Sequence, residues 1–353
     1  MIDDIYQKLP GFQFDQSNFV PISTFIDVKG PGMKRFKNIL VVSNPEGVSD
    51  ALVARARWLA KANGAHLTLM DVSETDQSDM ARMLATLSGQ RGREVGAELI
   101  AARKEQLEQV AVGLRQEGAE VTTMLAQGVG FIEVIRHVLT YDNDLVLKAA
   151  DQTPTWNVLG GPDLHLLRKC PCPVWILNSK AEPKAKRIVA AVDPDPTDAT
   201  RDALNHKVMQ LATSLSVQDD AKLDVLNAWY LYEEHLLRSS RVHTPPEDVE
   251  ALLLTTKQES HARLTALTDQ YTEFADRMQI MHVKGVAADV IAQHTHEQHI
   301  DTLVMGTLGR TGLSGMFIGN TADTILSRVA CSVLAVKPEG FISPVTIEEL
   351  ETH

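Results

Sequence analysis

Near the end of the chain, three glycines and an amide stand at a spacing that suits a phosphate group. Leu303-Val304-Met305 is an apolar run, short enough for a buried strand. Gly306 and Gly309 follow it directly. After nine further residues, Gly319-Asn320-Thr321 opens an apolar periodicity at Ala322, Ile325, Leu326 and Val329 that predicts a helix. Glycines at a strand end let backbone N–H groups face one point, because no Cβ stands in the way. A helix start adds unpaired N–H groups and a partial positive charge. The same point therefore suits a phosphate. Arg310 and Thr321 add a charge and a hydroxyl to the same stretch, and the Asn320 amide can donate to an anion or cap the helix, two uses that compete. The plainer reading is a tight turn followed by a helix start.

Other reactive residue types are sparse. Asp193 ends an apolar run, where a carboxylate would stand at the mouth of a parallel sheet's ligand crevice, or merely fix the Asp-Pro-Asp-Pro turn. Cys170-Pro171-Cys172 is too short for the usual zinc loop and reads as two buried spacers. His294, His296 and His299 do not share one helix face well, which disfavours a metal site. Lys148 follows an apolar strand at the sheet edge and could face a pocket, though a solvated strand end is the plainer expectation. No phosphate loop ending in Gly-Lys-Ser/Thr, no Gly-x-Ser-x-Gly elbow and no recognisable Cys/His pair occurs, so no residues stand ready to carry catalysis.

The elements that would position these residues alternate. Strands are expected at Ile39 to Ser43, His66 to Val72, Val121 to Ala126, Leu145 to Leu147 and Val174 to Leu177. Helical periodicity is expected over Ala51 to Ala62, at Met80 to Leu87, around Leu107 to Leu114, at Gly130 to Leu139 and at Leu164 to Arg168. The order then repeats, with strands Ile188 to Val192, Leu223 to Trp229, Ile280 to Val283, Leu303 to Met305 and Ser332 to Val336. Helices are expected at Ala203 to Leu215, over Val249 to Phe274 with Leu252, Leu253, Leu264, Leu267 and Tyr271 as apolar positions, and at Ala287 to Gln293. The repeat is visible in matched segments. ILVVSNP at 39–45 parallels IVAAVDP at 188–194, DLVLKAA at 144–150 parallels DTLVMGT at 301–307, and LLRKCPCPVWIL at 166–177 parallels ILSRVACSVLAV at 325–336. This predicts an α/β chain of two tandem doubly wound parallel sheets.

The stretch Gly306-x-x-Gly309-x9-Gly319 resembles the nucleotide-binding loop of universal stress proteins, with Asn320 where that family usually has Ser or Thr. From Met33 to Pro338 the chain resembles a tandem universal stress protein, nearest to the E-type branch. The resemblance implies Rossmann-like halves at 35–180 and 186–338, a linker at 181–185, an extension at 1–34 and a tail at 339–353. It also implies that the halves pair through their last strands about a pseudo-two-fold axis. It assigns ATP or another adenine nucleotide to the second half. There Asp193 would bind adenine, the Ala228 backbone would contact the base, and Gly306, Gly309, Arg310, Gly319, Asn320 and Thr321 would surround the phosphates. In the first half Asn44, Ala149 and Gln152 replace Asp193, Gly306 and Gly309, and Pro162 follows Gly160 and Gly161, so that half is expected to have lost its phosphate site.

Composition narrows the field. The chain has 353 residues, 44% hydrophobic and 23% charged, with a net charge of -12 that disfavours nonspecific nucleic-acid binding. Three cysteines point to a reducing compartment, and no apolar run approaches a membrane span, so a cytoplasmic protein is expected. The Phe residues of the arm before Met33 are expected to dock on the folded body. The reading is therefore a stress-response binding or regulatory protein taking a small-molecule ligand, compatible with a homo-oligomer. A weak ATPase or nucleotidyl-transferring enzyme, and a partner-binding module with no nucleotide, are the alternatives.

Overall fold

The computed structural model describes residues 36–44, 46–73, 89–151, 159, 161–178, 181–239, 242, 244–307 and 319–347. The arm, Met80 to Leu87, Gln152, Gly160, Gly309 and Arg310 lie outside the described residues.

In the first half the order is β1 (Asn38–Val42), α1 (Asp50–Asn63), β2 (His66–Ser73), α2 (Gly89–Gln116), β3 (Glu120–Gln127), α3 (Gly130–Tyr141), β4 (Leu145–Ala149), α4 (Gly161–Lys169) and β5 (Val174–Leu177). The second half runs β6 (Arg187–Ala191), α5 (Ala199–Asp219), β7 (Lys222–Trp229), α6 (Glu234–Leu237), α7 (Pro246–Thr268), β8 (Met278–Lys284), α8 (Ala287–Glu297), β9 (Thr302–Gly306), α9 (Asn320–Leu326) and β10 (Ser332–Val336). A 3-10 turn, Asp269–Phe274, follows α7.

Among the described residues ten strands form one sheet, ordered β3-β2-β1-β4-β5-β10-β9-β6-β7-β8. Strand side chains alternate between faces, so two cores form. Ile39, Val41, Leu145 and Leu147 pack under α1, α2, α5 and α7, whereas Leu40, Val42 and Val146 pack under α3, α4, α8 and α9. Each half is parallel, and the two meet at one antiparallel pair, β5 with β10. Its register sets Val174 against Ala335, Trp175 against Leu334 and Ile176 against Val333. Trp175 and Leu334 are matched positions of the repeat, so the pseudo-two-fold axis passes through that pair.

The repeat extends to hydrogen bonds. Asp144 accepts the backbone N–H groups of Lys37 and Asn38, and Asp301 accepts those of Lys186 and Arg187 at 2.7 and 2.9 Å. Across the seam, Arg55 of α1 pairs with Asp219 at the end of α5 at 2.9 Å, both side chains at most 3% exposed. Asp219 also accepts the Ala185 N–H at 2.7 Å, which anchors the segment between β5 and β6. No helix among the described residues is long and apolar enough to cross a membrane.

One expectation about elements needs correction, and one element was not expected. Leu252 is 44% exposed, because α7 presents Val249, Leu253, Leu264 and Leu267 inward instead. The short helix α6 was not foreseen. It precedes α7 beside a small satellite core of Trp229, Val249 and Leu253, with Leu231 and Leu237 packed against it.

Candidate functional site

β6 and β9 are neighbours and parallel, with Ala191 opposite Met305. The chain leaves β6 for β7 on one side and leaves β9 for β10 on the other. Crossovers that diverge from adjacent strands leave a crevice at their carboxyl ends, the usual ligand position in open α/β sheets. Asp193 lies just beyond β6, Gly306 ends β9, and Ala228, half-buried, is the last residue but one of β7. Three of the expected residues therefore share one sheet edge.

Asp193 is held from α5. The buried Asn205 accepts the Asp193 N–H at 2.8 Å and donates to its carbonyl at 3.0 Å. Arg201 donates to the Asp193 carboxylate at 2.7 Å and to Asp195 at 2.6 Å. Burial works against the Asp195 charge, but the Thr197 hydroxyl and N–H and the Arg201 guanidinium outweigh it and hold that carboxyl below its usual range. The helix begins on Asp198, whose side chain caps the N–H groups of Thr200 and Arg201. Asp193 thus keeps a fixed backbone and a half-exposed carboxylate, a group with several acceptor positions.

Beside Ala228, the buried Asn227 donates to the Val192 carbonyl at 2.9 Å. Its oxygen therefore accepts, and the Ser260 hydroxyl donates to it at 3.0 Å. Having given its only proton, Ser260 accepts from His282 Nε2 at 3.0 Å. His282 stacks on Trp229, and burial holds its pKa below that of a free imidazole, helped by the nearby His261 and Lys257. Asn205, Arg201, Asn227, Ser260 and His282 were missed by sequence reasoning. A polar Asn inside the strand pattern Leu223 to Trp229 was the available signal.

Gly306 has a packing role: a Cβ there would lie 2.7 Å from Leu204 Cδ2. Thr307 follows it, buried, and the carbonyl of Thr307 accepts the Gly319 N–H at 3.3 Å, so both ends of the glycine loop are pinned together. Gly319 is the residue that caps α9, with φ -61° and ψ 143°. Asn320 is the first helical residue and is exposed, as is Thr321. The expected competition between capping and anion binding at Asn320 therefore does not arise.

In the first half, Asn44 bridges the corresponding strands by donating to the Ala150 carbonyl at 3.3 Å. Lys148 is no solvated strand end. It is 6% exposed and donates to Asp163 at 2.8 Å, to the Ala149 carbonyl at 3.1 Å and to Asp151.

The remaining candidates serve structure. His294 pairs with the buried Asp224 at 2.9 Å. Cys170 and Cys172 are buried with their sulfurs 3.6 Å apart, and burial pushes the Cys172 thiol well above the usual range and that of Cys331 up to about 12. Among the described residues no three His, Cys, Asp or Glu side chains gather as metal ligands. A cavity of about 270 Å³ opens at the amino ends of β9 and β10, near Asn178, His299, Asp301 and Cys331, away from the crevice.

Comparison with known proteins agrees with this architecture. The model of the universal stress protein family matches twice, over residues 35–178 and 184–337. Universal stress protein E of Photorhabdus laumondii is 27% identical over 89% of this chain and 98% of its own. Universal stress protein E of Escherichia coli K12 is 26% identical over 90% and 99%. Among solved structures, a Pseudomonas aeruginosa protein described as functionally unknown superposes with a TM-score of 0.64 at 23% identity, covering 88% of this chain and 95% of that one. A universal stress protein of Archaeoglobus fulgidus gives 0.53 at 14% identity, over 85% and 98%. Two copies of one domain in one continuous sheet, matched by family models along nearly the whole described length, make this chain a tandem universal stress protein of the E type.

Proposed function

We propose that the chain is a stress-response binding protein that takes one adenine nucleotide, ATP or a relative, in the crevice of its second half. The observation that carries this reading is the convergence of Asp193, Ala228 and Gly306 at the carboxyl edge where the β6 and β9 crossovers diverge. Asp193 and the Ala228 backbone contact the base. Gly306, Gly309, Arg310, Gly319, Asn320 and Thr321 surround the phosphates, the three glycines through backbone N–H groups. The exposed Asn320 side chain is free of capping duty and donates its amide to a phosphate oxygen. In the first half the Asn44 bridge and the Lys148 ion pair occupy the equivalent crevice, which supports a single site per chain.

Calorimetric titration with ATP tests this. One weak site per chain is expected, tightened by Asn320→Ser and abolished by Gly309→Val, whose branched side chain would occupy the phosphate position. Two equal sites, or no binding even by the Asn320→Ser variant, would overturn it. Nucleotide recovered intact after incubation with magnesium separates binding from ATPase activity.

A further inference from the structure

The two halves differ in chemistry at one matched pair of positions. Lys148 in β4 corresponds to Met305 in β9, and Asp163 in the first turn of α4 corresponds to Ala322 in α9. Met305 and Ala322 are buried and apolar, 3% and 5% exposed. Lys148 and Asp163 are buried as an ion pair at 2.8 Å, Asp163 fully. A buried pair is generally no more stable than well-packed apolar residues of similar volume, so stability alone does not account for it.

The surroundings of Asp163 do. Its Oδ1 meets the Lys148 ammonium and its Oδ2 accepts the Asp151 N–H at 2.9 Å, in the first turn of a nine-residue helix. An ammonium and a loop N–H are the donors that an external anion would meet at this junction of strand end and helix, beside a helix start where Pro162 offers no N–H and only the dipole adds to them. We infer that the first half retains an anion-binding site and that the chain's own Asp163 carboxylate occupies it, closing that crevice to phosphate-bearing ligands. Asp151 reinforces the closure, since its carboxylate also pairs with Lys148 and leaves the cluster with an excess negative charge. The inference stands on the first half alone and does not require that the second half bind nucleotide.

Its test is a gain of binding. Asp151→Asn together with Asp163→Ala removes both carboxylates and keeps the ammonium and the loop N–H. Melting is followed in inorganic phosphate and in chloride at matched ionic strength. The phosphate-specific rise in Tm is expected to be several degrees larger for this variant than for the unmodified chain. Adding Lys148→Met copies the apolar pair of the second half, and this control should fold and lose the extra response. Phosphate bound in the second half would shift all three proteins alike and so cancels. Equal shifts in the three proteins, or a double variant that stays unfolded in phosphate while the control folds, would overturn the inference.

Discussion

At the scale of single residues, Gly306 shows how packing alone can require a glycine. Its φ is not positive, so the backbone alone does not demand glycine. The demand comes from Leu204, whose side chain occupies the space a Cβ would fill. Leu204 stands as far beyond its cap, Asp198, as Arg55 stands beyond Ser49 in the first half. Arg55 is drawn to Asp219, so the strand end there meets no leucine from that position and carries Ala149. Gly306→Ala is expected to lower stability by about 1–3 kcal/mol through overpacking. Leu204→Ala in the same chain should recover part of that loss, so the two effects will not add. Urea unfolding of the two single variants and the double variant measures this, and a neutral Gly306→Ala would show that α5 yields.

At the scale of elements, the end of β10 carries a buried ammonium across the seam. Lys337 Nζ donates to the Leu167 and Arg168 carbonyls at the end of α4, at 2.7 and 3.0 Å, and to Thr307 Oγ1 at 2.9 Å. A cation is favoured at a helix C-terminus, and the Phe341 ring lies 4.8 Å away. Burial is nonetheless the largest influence. It pulls the Lys337 pKa from 10.5 down to about 7, against an opposite pull from Cys170. Below pH 7 the folded and unfolded chains both hold the proton and the burial penalty applies in full. Between 7 and 10.5 only the unfolded chain holds it, so stability should rise with pH through that window. His137, His206 and His282, each lowered chiefly by burial, act in the same direction below 6.5, where the unfolded chain takes up protons first. Denaturation midpoints from pH 5 to about 8 should therefore climb, before the buried thiols of Cys172 and Cys331, raised above their ordinary range, oppose the trend, and Lys337→Met should remove the part above pH 7. An unchanged slope in that variant would assign the rise to other groups.

Elements were the most legible level in the sequence. Runs such as Ile39 to Val42 and Ile188 to Ala190 are apolar at every position because a parallel strand is covered on both faces, and that pattern needs no partner to be read. Lys148 was misread because its burial depends on a carboxylate 15 positions away, in a helix whose placement against β4 no local pattern announces. The clamp on Asp193 escaped for the same reason: Arg201 and Asn205 look like solvated helix residues until α5 is laid against the end of β6.

At the scale of the whole molecule, the duplicated chain completes internally what two separate copies would have to do by association. Pairing β5 with β10 removes two edges that would otherwise stand open and leaves β3 and β8 as the outer strands. The seam is more than a backbone ladder. The Arg55 guanidinium lies 4.8 Å from the Trp175 ring centre, on the pseudo-two-fold axis, while its NH1 reaches both oxygens of Asp219 at 3.0 and 2.9 Å. The partners are 164 positions apart in sequence, so the contact exists only when both halves are folded and joined. Removing one partner leaves the other charge buried and unpaired. Arg55→Ala is accordingly expected to cost about 3–5 kcal/mol. Because the lost contact belongs to both halves, the unmodified protein should melt in a single calorimetric transition from residue 36 onward, and the variant should melt in one transition at lower temperature. Two resolved transitions in the unmodified chain, or a change confined to one of two transitions in the variant, would show that each half is stable alone and that the shared sheet adds little to either.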